Sequence, residues 1–61
     1  MMLTIGIDLG GTKIAGAVWD SAAQAVIAQQ TIPTMGHLGP DGVIERIAGL
    51  VRELATAVSL D

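Results

Sequence analysis

The chain has 61 residues, of which 51% are apolar and 15% charged, with a net charge of −3 and no cysteine. Its cations, Lys13, Arg46 and Arg52, are too few and too scattered to form the basic stripe that displaces counterions from nucleic-acid phosphates, so no nucleic-acid partner is expected. Neither a disulfide nor a thiolate metal site is available as a staple, although chains of about 60 residues bury only about 60% of their unfolded surface.

A mean hydropathy of +0.61 in so few residues reads as a piece of a larger core. A membrane span needs roughly 20 continuous apolar residues, and Asp8, Lys13, Asp20 and Gln24 interrupt each candidate run. The start, Met1-Met2-Leu3-Thr4, lacks the basic region of a secretory signal. The expectation is a soluble, cytoplasmic chain with no membrane partner.

Leu3 to Leu9 alternates with period two, Leu3, Ile5, Ile7 and Leu9 on one face and Thr4, Gly6 and Asp8 on the other, which predicts a strand. Gly10-Gly11 breaks it, as glycine pairs do between hairpin strands. Lys13 to Trp19 predicts a second strand, Asp20-Ser21-Ala22-Ala23 a turn, and Gln24 to Ile32 a third strand closed by Pro33. Ile14, Ala17, Val18, Ala22, Ala25 and Val26 also fit a helical face, so a strand-loop-helix reading competes over this region.

Residues 33 to 40 are a loop by composition. A helix follows, with Pro40 at its first position and Asp41 at the positive end of its dipole. Val43, Ile44, Ile47, Leu50, Val51, Leu54 and Val58 form its apolar face, while Glu45, Arg46, Arg52 and Glu53 read as solvated. Gly42 and Gly49 each cost about 1 kcal/mol against alanine, so packing must hold this helix. The fold class is α/β, an antiparallel three-stranded meander plus one helix.

The chemistry concentrates in Gly6-Ile7-Asp8-Leu9-Gly10-Gly11-Thr12-Lys13. Adjacent glycines let a ligand approach main-chain N–H groups without meeting a Cβ, and successive N–H groups in a turn form an anion-binding concavity. Thr12 adds a hydroxyl and Lys13 a compact positive charge, both suited to phosphate oxygens. Asp8 offers a carboxylate to Mg2+, which binds through few carboxylates and several waters. Together they describe a nucleoside triphosphate site. The competing structural reading is a plain Gly-Gly hairpin with a solvated Asp and Lys at its ends. A dinucleotide fingerprint is absent, and the P-loop pattern is nearly met at Gly6 and Gly11 but continues Thr12-Lys13, the reverse of the required order.

Ile5-Gly6-Ile7-Asp8-Leu9-Gly10-Gly11-Thr12-Lys13-Ile14-Ala15 resembles the N-terminal phosphate motif of the ROK proteins (repressors, open reading frames, sugar kinases), of the actin, heat-shock chaperone and hexokinase superfamily. Chaperone ATPases read Gly-Thr-Thr where this chain has Gly10-Gly11-Thr12, which favours the sugar-kinase branch. The resemblance continues through Trp19-Asp20, Ile32-Pro33-Thr34 and the helix after Pro40, and so covers nearly the whole chain.

It implies that residues 1–61 are the N-terminal part of a ribonuclease-H-like, actin-like ATPase domain. ATP and Mg2+ are the implied cofactors, with Asp8 orienting the metal and Gly10, Gly11, Thr12 and Lys13 meeting the β- and γ-phosphates. The implied reaction is phosphoryl transfer from MgATP to a hydroxyl of glucose or an N-acylhexosamine, in a protein that pairs as a homodimer. Relatives are several times longer, and no position here matches their sugar-binding residues, catalytic aspartate or zinc motif. The chain therefore reads as a fragment without its catalytic base. The alternatives are a fragment of a sugar-responsive ROK transcriptional repressor and a stand-alone P-loop-like phosphate-binding module.

Two departures stand out. Relatives continue Pro-Thr-Pro where this chain has Pro33-Thr34-Met35-Gly36-His37, and they place glycine near Ala23. His37 reads as a loop residue without a role, Trp19 as core or interface, and Met35 as a gap-filler.

Overall fold

The computed structural model describes residues 2–58, and its elements follow in the expected order. Strands β1 (Leu3–Leu9), β2 (Lys13–Asp20) and β3 (Ala25–Pro33) precede a 3-10 turn (Gly36–Leu38) and helix α1 (Gly39–Ala57). The strands form one antiparallel sheet in the order β1-β2-β3. In the first hairpin Leu3 pairs with Asp20 and Leu9 with Ile14; in the second Lys13 pairs with Pro33 and Val18 with Ala28. The two-strand reading of residues 13–33 therefore holds against the helical one.

Period-two alternation sorts the central strand cleanly. Ile14, Gly16 and Val18 are buried, whereas Lys13, Ala15, Ala17 and Trp19 lie on the other face. α1 packs on the first of these faces, and Ile14, Val18, Leu50 and Leu54 make the core, each at most 1% exposed. Leu3, Ile5, Ile7, Ala28, Ile32, Val43, Ile47 and Val58 pack around it. Gly16 lies directly under the helix, where Leu50 and Leu54 occupy the space its missing side chain leaves.

Several apolar positions depart from the pattern. Leu9 shares its face with Ile5 and Ile7 yet is 54% exposed, because β1 is the sheet edge that α1 covers least, even though its partner Ile14 is buried. Ile44 is 62% exposed although its spacing fits the helix face. Trp19 is not in the core: it stands half exposed on the face that α1 does not cover. Met35 fills no gap either; it is partly exposed and caps the 3-10 turn with a left-handed φ of 55°.

The turns show how the strands are set. Asp20 Oδ1 accepts the Ala22 N–H at 2.9 Å and the Ala23 N–H at 3.4 Å, an Asx turn that starts the second hairpin. The left-handed residue there is Gln24, at φ 53°, next to the position where glycine was expected from the resemblance. Ile27 is the extra residue of a bulge between the Val18–Ala28 and Trp19–Val26 pairs. At the junction, Gly39, which caps the 3-10 turn and opens α1, takes φ 79°, a backbone that a side chain would disfavour. Pro40 then sits in the first turn of α1 with Asp41.

The polar side of α1 is not simply solvated. Arg46 Nε donates to the Pro33 carbonyl at 2.8 Å, and Gln30 Nε2 donates to Glu53 Oε2 at 2.6 Å. Both reach back to β3 at the exposed margin of the helix–sheet packing.

Candidate phosphate-binding turn

β1 and β2 are joined by Gly10-Gly11-Thr12, closed by a hydrogen bond from the Gly10 N–H to the Lys13 carbonyl at 2.9 Å. Neither glycine uses a left-handed φ. Gly10 is required for another reason: a Cβ there would stand 3.0 Å from the Lys13 carbonyl oxygen, a backbone atom that cannot easily move. Gly11 is the opposite case. Nothing lies within 4 Å of where its Cβ would be, so its flank is open to solvent or to a ligand.

Gly10, Gly11, Thr12 and Lys13 are all exposed and contiguous, and Asp8 is exposed near the end of β1. Asp8 pairs with Ala15, so by alternation Asp8 and Lys13 project from the same face, the one away from α1. On that face a shallow depression of about 610 Å³ runs over Gly6, Ala15 and Ala17, with Asp8, Gln29 and Thr31 among its walls. Small residues make its floor low, and Asp8 stands at the boundary between it and the glycine turn.

One residue of this site was not expected from its position in a loop. Thr34 is 5% exposed, a buried polar residue among the described ones. Its Oγ1 donates to the Gly10 carbonyl at 2.7 Å, and its backbone N–H donates to the Thr12 carbonyl at 3.0 Å. The only sequence signal for it is a hydroxyl residue directly after the proline that closes β3.

A lone carboxylate with open surroundings suits Mg2+, which keeps most of its waters, better than ions that need a dense ligand cage. No group of three or more His, Cys, Asp or Glu side chains is assembled among the described residues. The open flank of Gly11, the Thr12 hydroxyl and the Lys13 charge fit a polyphosphate beside such an ion. His37 lies exposed in the 3-10 turn, away from these groups in the sequence.

Set beside known proteins, the chain is similar to sugar kinases. It is 36% identical over 55 residues to an N-acetylmannosamine kinase of Salmonella arizonae, a stretch covering 90% of this chain and 19% of that protein. It is 39% identical over 51 residues to glucokinases of Streptomyces coelicolor and Streptomyces lividans, covering 84% of this chain and 15% of each. The chain thus spans less than a fifth of the length of these curated relatives. No protein-family profile matches it, and no solved structure does. No helix among the described residues is long and apolar enough to cross a membrane.

Proposed function

We propose that this chain is the ATP-phosphate-binding segment of an ATP-dependent sugar kinase of the ROK type, built on the first strands and helix of a ribonuclease-H-like domain. The observation that carries the reading is the exposed Gly10–Lys13 turn, open at Gly11 and followed on the same sheet face by the Asp8 carboxylate. The local similarity to glucokinases and an N-acetylmannosamine kinase supports a sugar hydroxyl as the acceptor.

In this reading the main-chain N–H groups of the turn and the Thr12 hydroxyl hold the β- and γ-phosphate oxygens. Lys13 adds a positive charge, and Asp8 would hold Mg2+ beside the phosphates. When bound, Mg2+ offsets the charge that develops on the transferring phosphoryl group. Phosphoryl transfer depends mainly on such positioning and charge stabilisation, so the turn supplies one half of the site. No sugar contact and no group that takes the hydroxyl proton is assigned to any of these 61 residues.

The test uses the protein as its source cells make it. Its intact mass is measured first, then MgATP binding by calorimetry, then ADP release with glucose and with N-acetylmannosamine. Saturable MgATP binding and sugar-dependent ADP release are expected. Absence of MgATP binding overturns the nucleotide reading, and MgATP binding without sugar-dependent turnover favours a sugar-responsive regulator instead.

A further inference from the structure

We propose that Thr34 is a positioning residue for nucleotide binding, a clamp that holds the Gly10–Lys13 turn in its phosphate-accepting shape from outside the hairpin. The role in nucleotide binding rests on the function proposed above; the clamp itself rests on geometry. Thr34 holds the turn at both ends. Its hydroxyl takes the carbonyl of Gly10, on the β1 side, while its N–H takes the carbonyl of Thr12, on the β2 side.

The consequence follows from peptide geometry. All peptide bonds among the described residues are trans, and a planar trans peptide sets C=O and N–H on opposite sides. With the Gly10 and Thr12 carbonyls drawn toward Thr34, the N–H groups of Gly11 and Lys13 point away from it. The Gly11 N–H belongs to the residue whose flank is open, whereas the Lys13 N–H shares the strand edge on which the Lys13 carbonyl meets Gly10. Thr34 thus aims the Gly11 main-chain donor, and holds the Thr12–Lys13 peptide in register, without touching anything the turn would bind.

The clamp is itself braced. Arg46 on α1 donates to the carbonyl of Pro33, the residue before Thr34, so the helix fixes the strand exit from which Thr34 reaches. Thr34 is 5% exposed, so its hydroxyl end of the bond is buried while Gly10 stays exposed. Removing the donor frees the Gly10 carbonyl, on the exposed side of that bond, to turn toward water, and the turn loses its tie to the strand exit. A turn that is no longer held must be ordered by the ligand, and that ordering is subtracted from affinity.

The experiment compares wild type, Thr34→Val and Thr34→Ser in the protein as its source cells make it. Amide hydrogen exchange is read at Gly10 and Thr34 without nucleotide, alongside the Kd for MgATP and the KM values for ATP and sugar. Valine keeps the shape and removes the hydroxyl; serine keeps the hydroxyl. The expected result is faster exchange at both amides in Thr34→Val, an ATP Kd and KM raised about tenfold with the sugar KM unchanged, and recovery of all of these in Thr34→Ser. A general loss of folded protein would lower the active fraction and leave the ATP KM alone. If the valine chain does not fold, Thr34→Cys, a weaker donor of similar size, takes its place with the same direction of effect.

Unchanged exchange in the hydroxyl-free variant overturns the clamp. Faster exchange with unchanged MgATP affinity overturns its role in nucleotide binding. Wild-type protein that shows the protection but binds no MgATP overturns the nucleotide reading and that role together, and is distinguished by the exchange data from failure of the clamp.

Discussion

Gly16 of β2 lies under Leu54 of α1 so closely that a Cβ on Gly16 would come within 2.7 Å of Leu54 Cδ1. It would also stand 3.0 Å from Leu50 Cδ2 and 3.2 Å from Ile7 Cδ1. Because Leu50 and Leu54 are each 1% exposed, their methyl groups have little room to retreat. The close seat of helix on sheet therefore depends on a missing side chain. Gly16→Ala is expected to cost about 1–3 kcal/mol by overpacking, read as a lower thermal midpoint. Pairing it with Leu54→Val should recover part of the loss; a double variant no better than the sum of its singles would contradict the contact.

The second hairpin carries a strained residue that can be relieved. Gln24 holds φ 53°, where L-residues other than glycine and asparagine are disfavoured by about 1–2 kcal/mol. Glycine gives back part of that through its freer unfolded chain. Gln24→Gly is expected to raise stability by about 0.5–1 kcal/mol net, and denaturant midpoints would show it. No gain, or a loss, would mean that the Asp20 Asx turn rather than the left-handed residue limits the hairpin.

The two glycines of the phosphate turn should respond differently. Gly10→Ala presses on the Lys13 carbonyl and is expected to lower stability, whereas Gly11→Ala meets no atom within 4 Å and should melt like wild type. If phosphates approach along the open flank of Gly11, Gly11→Ala should still weaken MgATP binding about tenfold, the loss of one or two main-chain hydrogen bonds. Normal melting together with normal MgATP affinity would remove Gly11 from the site.

The 61 residues by themselves are expected to associate. Among the described residues the core holds four fully buried side chains, while Met2, Trp19, Val26 and Ile27 are substantially exposed. β1 is hydrogen-bonded to β2 alone and so presents an open strand edge. Light scattering on the isolated chain should show concentration-dependent oligomers, reduced by Thr4→Lys on β1. A monodisperse monomer with a sharp thermal transition would contradict this.

Much of this architecture is legible from residue order. Alternation at Leu3–Leu9 and Lys13–Asp20, glycines at the break, proline at the end of β3 and three- to four-residue spacing after Pro40 are local signals, and each element they predict is present. The exposed cluster from Asp8 to Lys13 is local too, since one short turn joins its parts.

Other features depend on which surfaces meet. Periodicity says that Leu9 and Ile44 lie on apolar faces, but a single helix covers a finite patch, and both fall beyond it. Arg46 and Glu53 read as solvent-facing until the helix is set on β3, where each finds a partner. Thr34 is the clearest case. It is 24 residues from Gly10 in the chain, and only the pairing of β2 with β3 brings its hydroxyl to that carbonyl. Period and turn chemistry act over a few neighbouring residues, so they define the elements and the glycine turn. Burial and the bonds that hold the turn arise from contacts between distant residues, which no local pattern encodes.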